Sequence, residues 1–185
     1  MLMKKSIFLL FLLGLIFNVK AQDSDDINKI SFGLKAGLNS MHNKVVTSSS
    51  ENVQKKSGVY AGVFVTIRAS KMVSIQPELI YSSTEFNATN NVNLLHLPVL
   101  LNFQLGNKFT GFLGPEGQFL LNIEDAENQD LFNTFMFGFT FGAKYQITPN
   151  FYIEGRPYIA LSRFLEDDLG YRKFNTLQIG LAYSF

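Results

Sequence analysis

Two histidines, His42 and His96, are the only side chains here that ordinarily titrate near neutrality, and the sequence has no cysteine. Ser40 precedes His42 by two residues, a spacing that permits the nucleophile–base pairing used in hydrolysis and acyl transfer. No metal-ligand spacing joins His42 to His96. Without cysteine, disulfides and thiolate metal sites are excluded. Gly111, Gly114 and Gly117 imitate a phosphate loop, but Pro115 lies inside the motif and the flanking pattern is that of a strand. No nucleotide site is expected there.

A larger polar set is spaced differently. Lys35, Arg68, Lys144 and Arg156 stand against Glu78, Glu116 and Glu154, with Gln76, His96, Gln104, Gln118 and Gln178 among them. Each shares a face with glycines and small residues while its neighbours on either side are apolar. Opposite charges gathered this way suit a confined interior, where an unpaired ion is very costly. An interior polar network of these seven charged residues is therefore expected, and His96 reads as a hydrogen-bonded member of it.

Elements with side chains alternating between two faces are needed to position such a set. Ile30, Phe32, Leu34, Ala36 and Leu38 alternate with Ser31, Gly33, Lys35, Gly37 and Asn39. The same period of two runs through residues 59–68, 73–82, 94–105, 109–121, 135–145, 151–161 and 176–185, and period two is the strand period. About eight strands result, each near the 9–11 residues that a tilted membrane-crossing strand requires. Tight turns are expected at 69–72, 106–108 and 148–150, and longer polar connections at 40–56, 84–93, 124–133 and 166–173. Short and long links alternate strictly, as in an even-stranded barrel with both ends on the short-turn side.

Period two does not say which face is outward. A soluble lipocalin-like barrel would hold the apolar set inside. The mixed set argues against it, because Gly33, Gly37, Gly62, Gly114, Gly138, Gly142 and Gly180 would weaken a solvent-facing strand. In a narrow lumen they make room for Tyr60, Phe64 and Phe112. The stripe Phe135, Phe137, Phe139 and Phe141 suits lipid. Phe103, Phe109, Tyr145, Phe151, Tyr183 and Phe185 fall towards the turns, and Tyr81 and Phe135 towards the loops, as two interfacial girdles would.

The first 21 residues read as a secretory signal. Lys4 and Lys5 precede an apolar run from Ile7 to Phe17, and Val19-Lys20-Ala21 sets cleavage between Ala21 and Gln22. The run is short of the roughly 20 residues of a helical anchor. Its removal takes Lys4, Lys5 and Lys20 and moves the formal charge from +1 to −2, which argues against a nucleic-acid surface. Residues 22–185 then form one domain. The closing strand ends Leu181-Ala-Tyr183-Ser-Phe185, with Leu181, Tyr183 and Phe185 on one face, and resembles the signal read by the outer-membrane insertion machinery.

Six stretches follow one another after the signal: Phe32-Gly-Leu-Lys-Ala-Gly-Leu-Asn39, Gly58-Val-Tyr-Ala-Gly-Val-Phe64, Val73-Ser-Ile-Gln-Pro-Glu-Leu-Ile-Tyr81, Leu94-Leu-His-Leu-Pro-Val-Leu-Leu101, Gly111-Phe-Leu-Gly-Pro-Glu-Gly117 and Leu177 to Phe185. On these stretches the chain resembles the PorT-type outer membrane protein β-barrel family of small Gram-negative barrels. His96 departs from it, since relatives place an acid before the Leu-Pro step. No cofactor is expected.

The expected fold is all-β: an eight-stranded antiparallel transmembrane β-barrel in the bacterial outer membrane, with both termini periplasmic. The expected protein is a non-enzymatic monomer with a structural, binding or assembly role. It would contact outer-membrane lipid, the insertion machinery, and a ligand or protein partner at its outward loops. An interior plugged by side chains is expected, because eight strands enclose only enough space for side chains to fill. The alternatives are a narrow, porin-like solute or ion channel, and a lipid hydrolase or acyltransferase using Ser40 and His42 at the outer rim.

Overall fold

The structure, a computed structural model, describes residues 29–47, 51–85, 91–123, 134–162, 165–167 and 170–185. The expected signal segment and its Ala21/Gln22 cleavage site lie outside these, as does the expected loop 124–133. Nine strands are described: β1 (Ile30–Thr47), β2 (Glu51–Arg68), β3 (Val73–Glu85), β4 (Asn91–Leu105), β5 (Phe109–Ile123), β6 (Phe135–Gln146), β7 (Phe151–Ala160), β8 (Leu165–Asp167) and β9 (Gly170–Ser184). They form one antiparallel sheet in which β1 to β7 pair in chain order and β9 pairs with both β7 and β1. The β1–β9 seam runs from Gly33 opposite Ser184 to Thr47 opposite Gly170. Eight strands thus close the barrel. The three-residue β8 only folds back on β9.

The tight connections fall where the sequence places them. Backbone amides of Ala69 and Ser70 donate to the Val73 carbonyl, and those of Ile147 and Thr148 donate to the Phe151 carbonyl. Gly106 takes φ 79°, the left-handed region open to glycine, in the turn from β4 to β5.

The opposite end differs from expectation. Residues 40–56 are not a long loop. β1 and β2 are each 18 residues and stay paired as far as Val46 opposite Glu51. A membrane crossing takes roughly 9–11 residues, so the hairpin continues well past the apolar band. The 84–93 and 166–173 connections are likewise shortened by strand at both ends. The sequence there loses the apolar alternation, while the backbone ladder continues.

Facing follows residue parity. On β6, Phe135, Phe137, Phe139 and Phe141 are 38–50% exposed, whereas Met136, Gly138, Thr140 and Lys144 are buried. Val59 and Val63, Leu79, Leu113, Ile153, Ile179 and Leu181 extend the outward apolar surface around the barrel. This arrangement excludes the lipocalin-like alternative, since ions and amides occupy the inside. Glycine makes the narrow lumen possible: the Phe64 ring lies over Gly33 and the Phe112 ring over Gly142, where a Cβ would collide with them. Outward rings pair near the turn end, Phe109 with Tyr145 and Phe151 with Tyr183 at 4.9 Å between centroids. Phe119 and Phe135 do so at 4.9 Å towards the other end.

Candidate functional site: the ionic interior

Side chains on the inward face of all eight barrel strands converge on the barrel axis. Lys35 on β1 donates from Nζ to Glu78 Oε1 at 2.8 Å and to Glu154 Oε1 and Oε2 at 2.8 and 3.0 Å. The Arg156 guanidinium forks between Glu78 Oε2 and Glu116 Oε2, the latter at 3.3 Å. The Tyr60 hydroxyl reaches Glu154 at 3.4 Å. Glu78, Glu116, Glu154, Lys35 and Arg156 are all at most 6% exposed. Three carboxylates are thus held by two cations: Lys35 bonds two of them, and Arg156 bonds two and lies 3.9 Å from the third, Glu154. Such ions tolerate burial only through mutual pairing and further hydrogen bonds, and Gln76 and Gln118 add amide donors to Glu78 and Glu116.

Lys144 occupies the edge of this cluster nearer the turns. Its Nζ donates to Gln76 Oε1 at 2.8 Å and Asn102 Oδ1 at 3.4 Å, and lies 5.2 Å from the Phe112 ring centre. Gln76 Oε1 also accepts from Asn102 at 3.1 Å and from the Thr66 hydroxyl at 3.1 Å.

On the other side of Glu116 stands a hydrogen-bonded chain. His96 Nδ1 lies 2.8 Å from Glu116 Oε1, and His96 Nε2 lies 2.7 Å from Ser82 Oγ. A carboxylate only accepts, so a neutral imidazole carries its proton on Nδ1 and receives the Ser82 hydroxyl at Nε2. The order Ser–His–Glu matches the logic of an activated nucleophile. Here it is sealed: Ser82 is fully buried, and Glu116 is also engaged by Arg156 and Gln118. None of the three lines the cavity at the turn end of the barrel. In this setting the histidine links β3 to β5 across β4.

Six of the seven expected network residues come together here: Lys35, Glu78, Glu116, Lys144, Glu154 and Arg156. Arg68 does not. It is the last residue of β2, pairs in register with Ser74, and is exposed at the barrel mouth. Its parity is right, but the strand end lies beyond the closed interior. Ser40 and His42 share the parity of Leu34 and Leu38, so they stand on the outward face of β1, with the ionic cluster on the other. Gly111, Gly114 and Gly117 lie within β5 rather than in a loop. Ser82, Asn102 and Thr66 are not singled out by sequence, because small neutral residues on a strand carry no distinctive signal. Parity alone could have found Ser82, two steps of two from Glu78, and Asn102, three such steps from His96.

A family model described as "Outer membrane protein beta-barrel domain" matches residues 20–185. No curated protein matches the chain. Among solved structures, Ail, the attachment invasion locus protein of Yersinia pestis, is similar at 11% identity and TM-score 0.51, over 86% of this chain and 99% of that one. Neisserial surface protein A matches at 14% identity and TM-score 0.49, over 85% and 99%. OprG from Pseudomonas aeruginosa matches at 11% identity and TM-score 0.46, over 88% and 99%.

Proposed function

From the premise that this chain belongs to the outer membrane protein beta-barrel domain family, we propose that it is a non-enzymatic binding or assembly protein whose barrel serves as an anchor. The observation that carries this reading is the filled interior: Lys35, Glu78, Glu154 and Arg156 pair across the lumen at 1–6% exposure. Ions locked in this way leave the end beyond the apolar band as the surface available to a partner. The β1–β2 hairpin extends there with β9 paired along its other side. Outward segments held by a rigid scaffold are where recognition concentrates.

Several finer assignments accompany this reading. Residues 1–21 are a signal peptide cleaved after Ala21. The short turns and both termini face the periplasm, as in barrels whose long connections are extracellular. Within the family we read the chain as PorT-type, on the resemblance of the stretches from Phe32 to Asn39 and from Leu94 to Leu101. The protein is a monomer in outer-membrane lipid, inserted by machinery that reads Leu181, Tyr183 and Phe185. Ser40 and His42 carry no catalysis.

Planar-bilayer recording tests the central statement. The purified protein should show no large, steady conductance, and Ser40→Ala and His42→Ala should leave any native phenotype intact. A steady open channel would replace the anchor with a solute or ion channel. Loss of a lipid-modifying activity in His42→Ala would replace it with an enzyme.

A further inference from the structure

Among the described residues, the ionic cluster leaves one interior cation without a carboxylate. Lys35 and Arg156 engage Glu78, Glu116 and Glu154, while the hydrogen bonds of Lys144 Nζ go to the amide oxygens of Gln76 and Asn102. An ammonium buried among neutral acceptors is only partly compensated for its lost water. Beside Lys144, at the turn end, the barrel holds a cavity of about 130 Å³. Among the described residues its wall carries two more cations, Arg68 and Lys71, both exposed, and no Asp or Glu. Hydroxyls of Ser70, Ser74 and Thr110 also line it.

We propose that this cavity is a binding site for a small tetrahedral oxyanion, with Lys144 as the inner cation and Arg68 and Lys71 at the rim. One sign of charge in a concave, low-dielectric wall concentrates the potential and draws in the opposite ion. A tetrahedral oxyanion offers acceptors in several directions; the three cations, and the Ser70 and Ser74 hydroxyls, which accept hydrogen bonds from Met72, Val73 and Asn102 and keep their own protons, supply donors around the space. The volume holds such an ion, since water takes roughly 30 Å³ per molecule in the liquid. The oxyanion is either a free ion or the phosphate or sulfate group of a larger molecule.

The test titrates inorganic phosphate into the folded full barrel in zwitterionic detergent, following the backbone amide resonances of residues 69–74 and the phosphorus signal. Three variants are compared after gel migration has shown that they fold: Lys144→Met, Arg68→Gln and, as a cation at a different turn, Lys108→Gln. Saturable binding is expected. It should weaken about tenfold or more in Lys144→Met, as befits losing a charge-assisted hydrogen bond, severalfold in Arg68→Gln, and not in Lys108→Gln. Should Lys144→Met fail to fold, the contrast between Arg68→Gln and Lys108→Gln decides. Glycerol phosphate binding more tightly than inorganic phosphate would identify a group on a larger molecule, and equal binding a free ion. The proposal is overturned by absence of saturation, by equal weakening in all folded variants, or by a folded Lys144→Met that binds as the wild type does.

Discussion

Glu78 holds the interior together because it accepts from both Lys35 and Arg156. Glu78→Ala would leave those cations facing one another with two carboxylates between them in a space closed to water. Breaking a buried ion pair from one side costs about 3–5 kcal/mol. Val63→Ala, on the lipid face, should cost under about 1 kcal/mol, the scale of exposed substitutions. Denaturant titrations of both variants in lipid vesicles check the ranking, and a larger loss for Val63→Ala would contradict the observed facing. The charged members of this cluster were legible from sequence because a Lys or Glu flanked by outward apolar residues on a strand must turn inward and meet its opposite there. Arg68 obeyed the same pattern and misled, since parity carries no information about depth along the axis. Ser82 stayed hidden for the opposite reason, being too ordinary a strand residue to single out.

Strand number and turn positions were legible because lipid imposes them. Within the apolar band every second residue must be hydrophobic, and each short link must reverse the chain in a few residues. Beyond the band that demand ends, and with it the signal, so the extended β1–β2 hairpin looked like a loop. Two expected outcomes belong at this scale. Removing residues 43–54 and joining the strands with a two-residue turn should leave a folded barrel but abolish partner capture. Complete complementation of a deletion strain by that variant would remove recognition from the hairpin. The last strand carries an outward stripe, with Leu181 at 50% and Phe185 at 68% exposure and the Tyr183 and Phe185 rings 5.2 Å apart. Deleting Phe185 should lower the amount of folded protein in the outer membrane more than Phe119→Ala does, as measured by quantitative blotting of membrane fractions. Equal levels of the deletion and the wild type would discount the stripe as an assembly signal.

At the scale of the whole molecule, a closed sheet has no free edge within the band, and all of its ladders must break together. The barrel should therefore resist SDS until heated, and unboiled and boiled samples should migrate differently on a gel. Identical migration would be incompatible with the closed ladder. Closure also sets an order of events. Gly33 near the beginning of the ladder meets Ser184 at its end, so the seam cannot form until the final strand has arrived. Every earlier stage presents two raw edges, each a template for the wrong neighbour, and contacts this distant in sequence form slowly. The first strand is thus the one that waits longest. A cell that builds this protein must shelter β1 for the whole interval between its emergence and the arrival of β9. A chain that stopped just short of β9 would be nearly complete and would still carry both edges open.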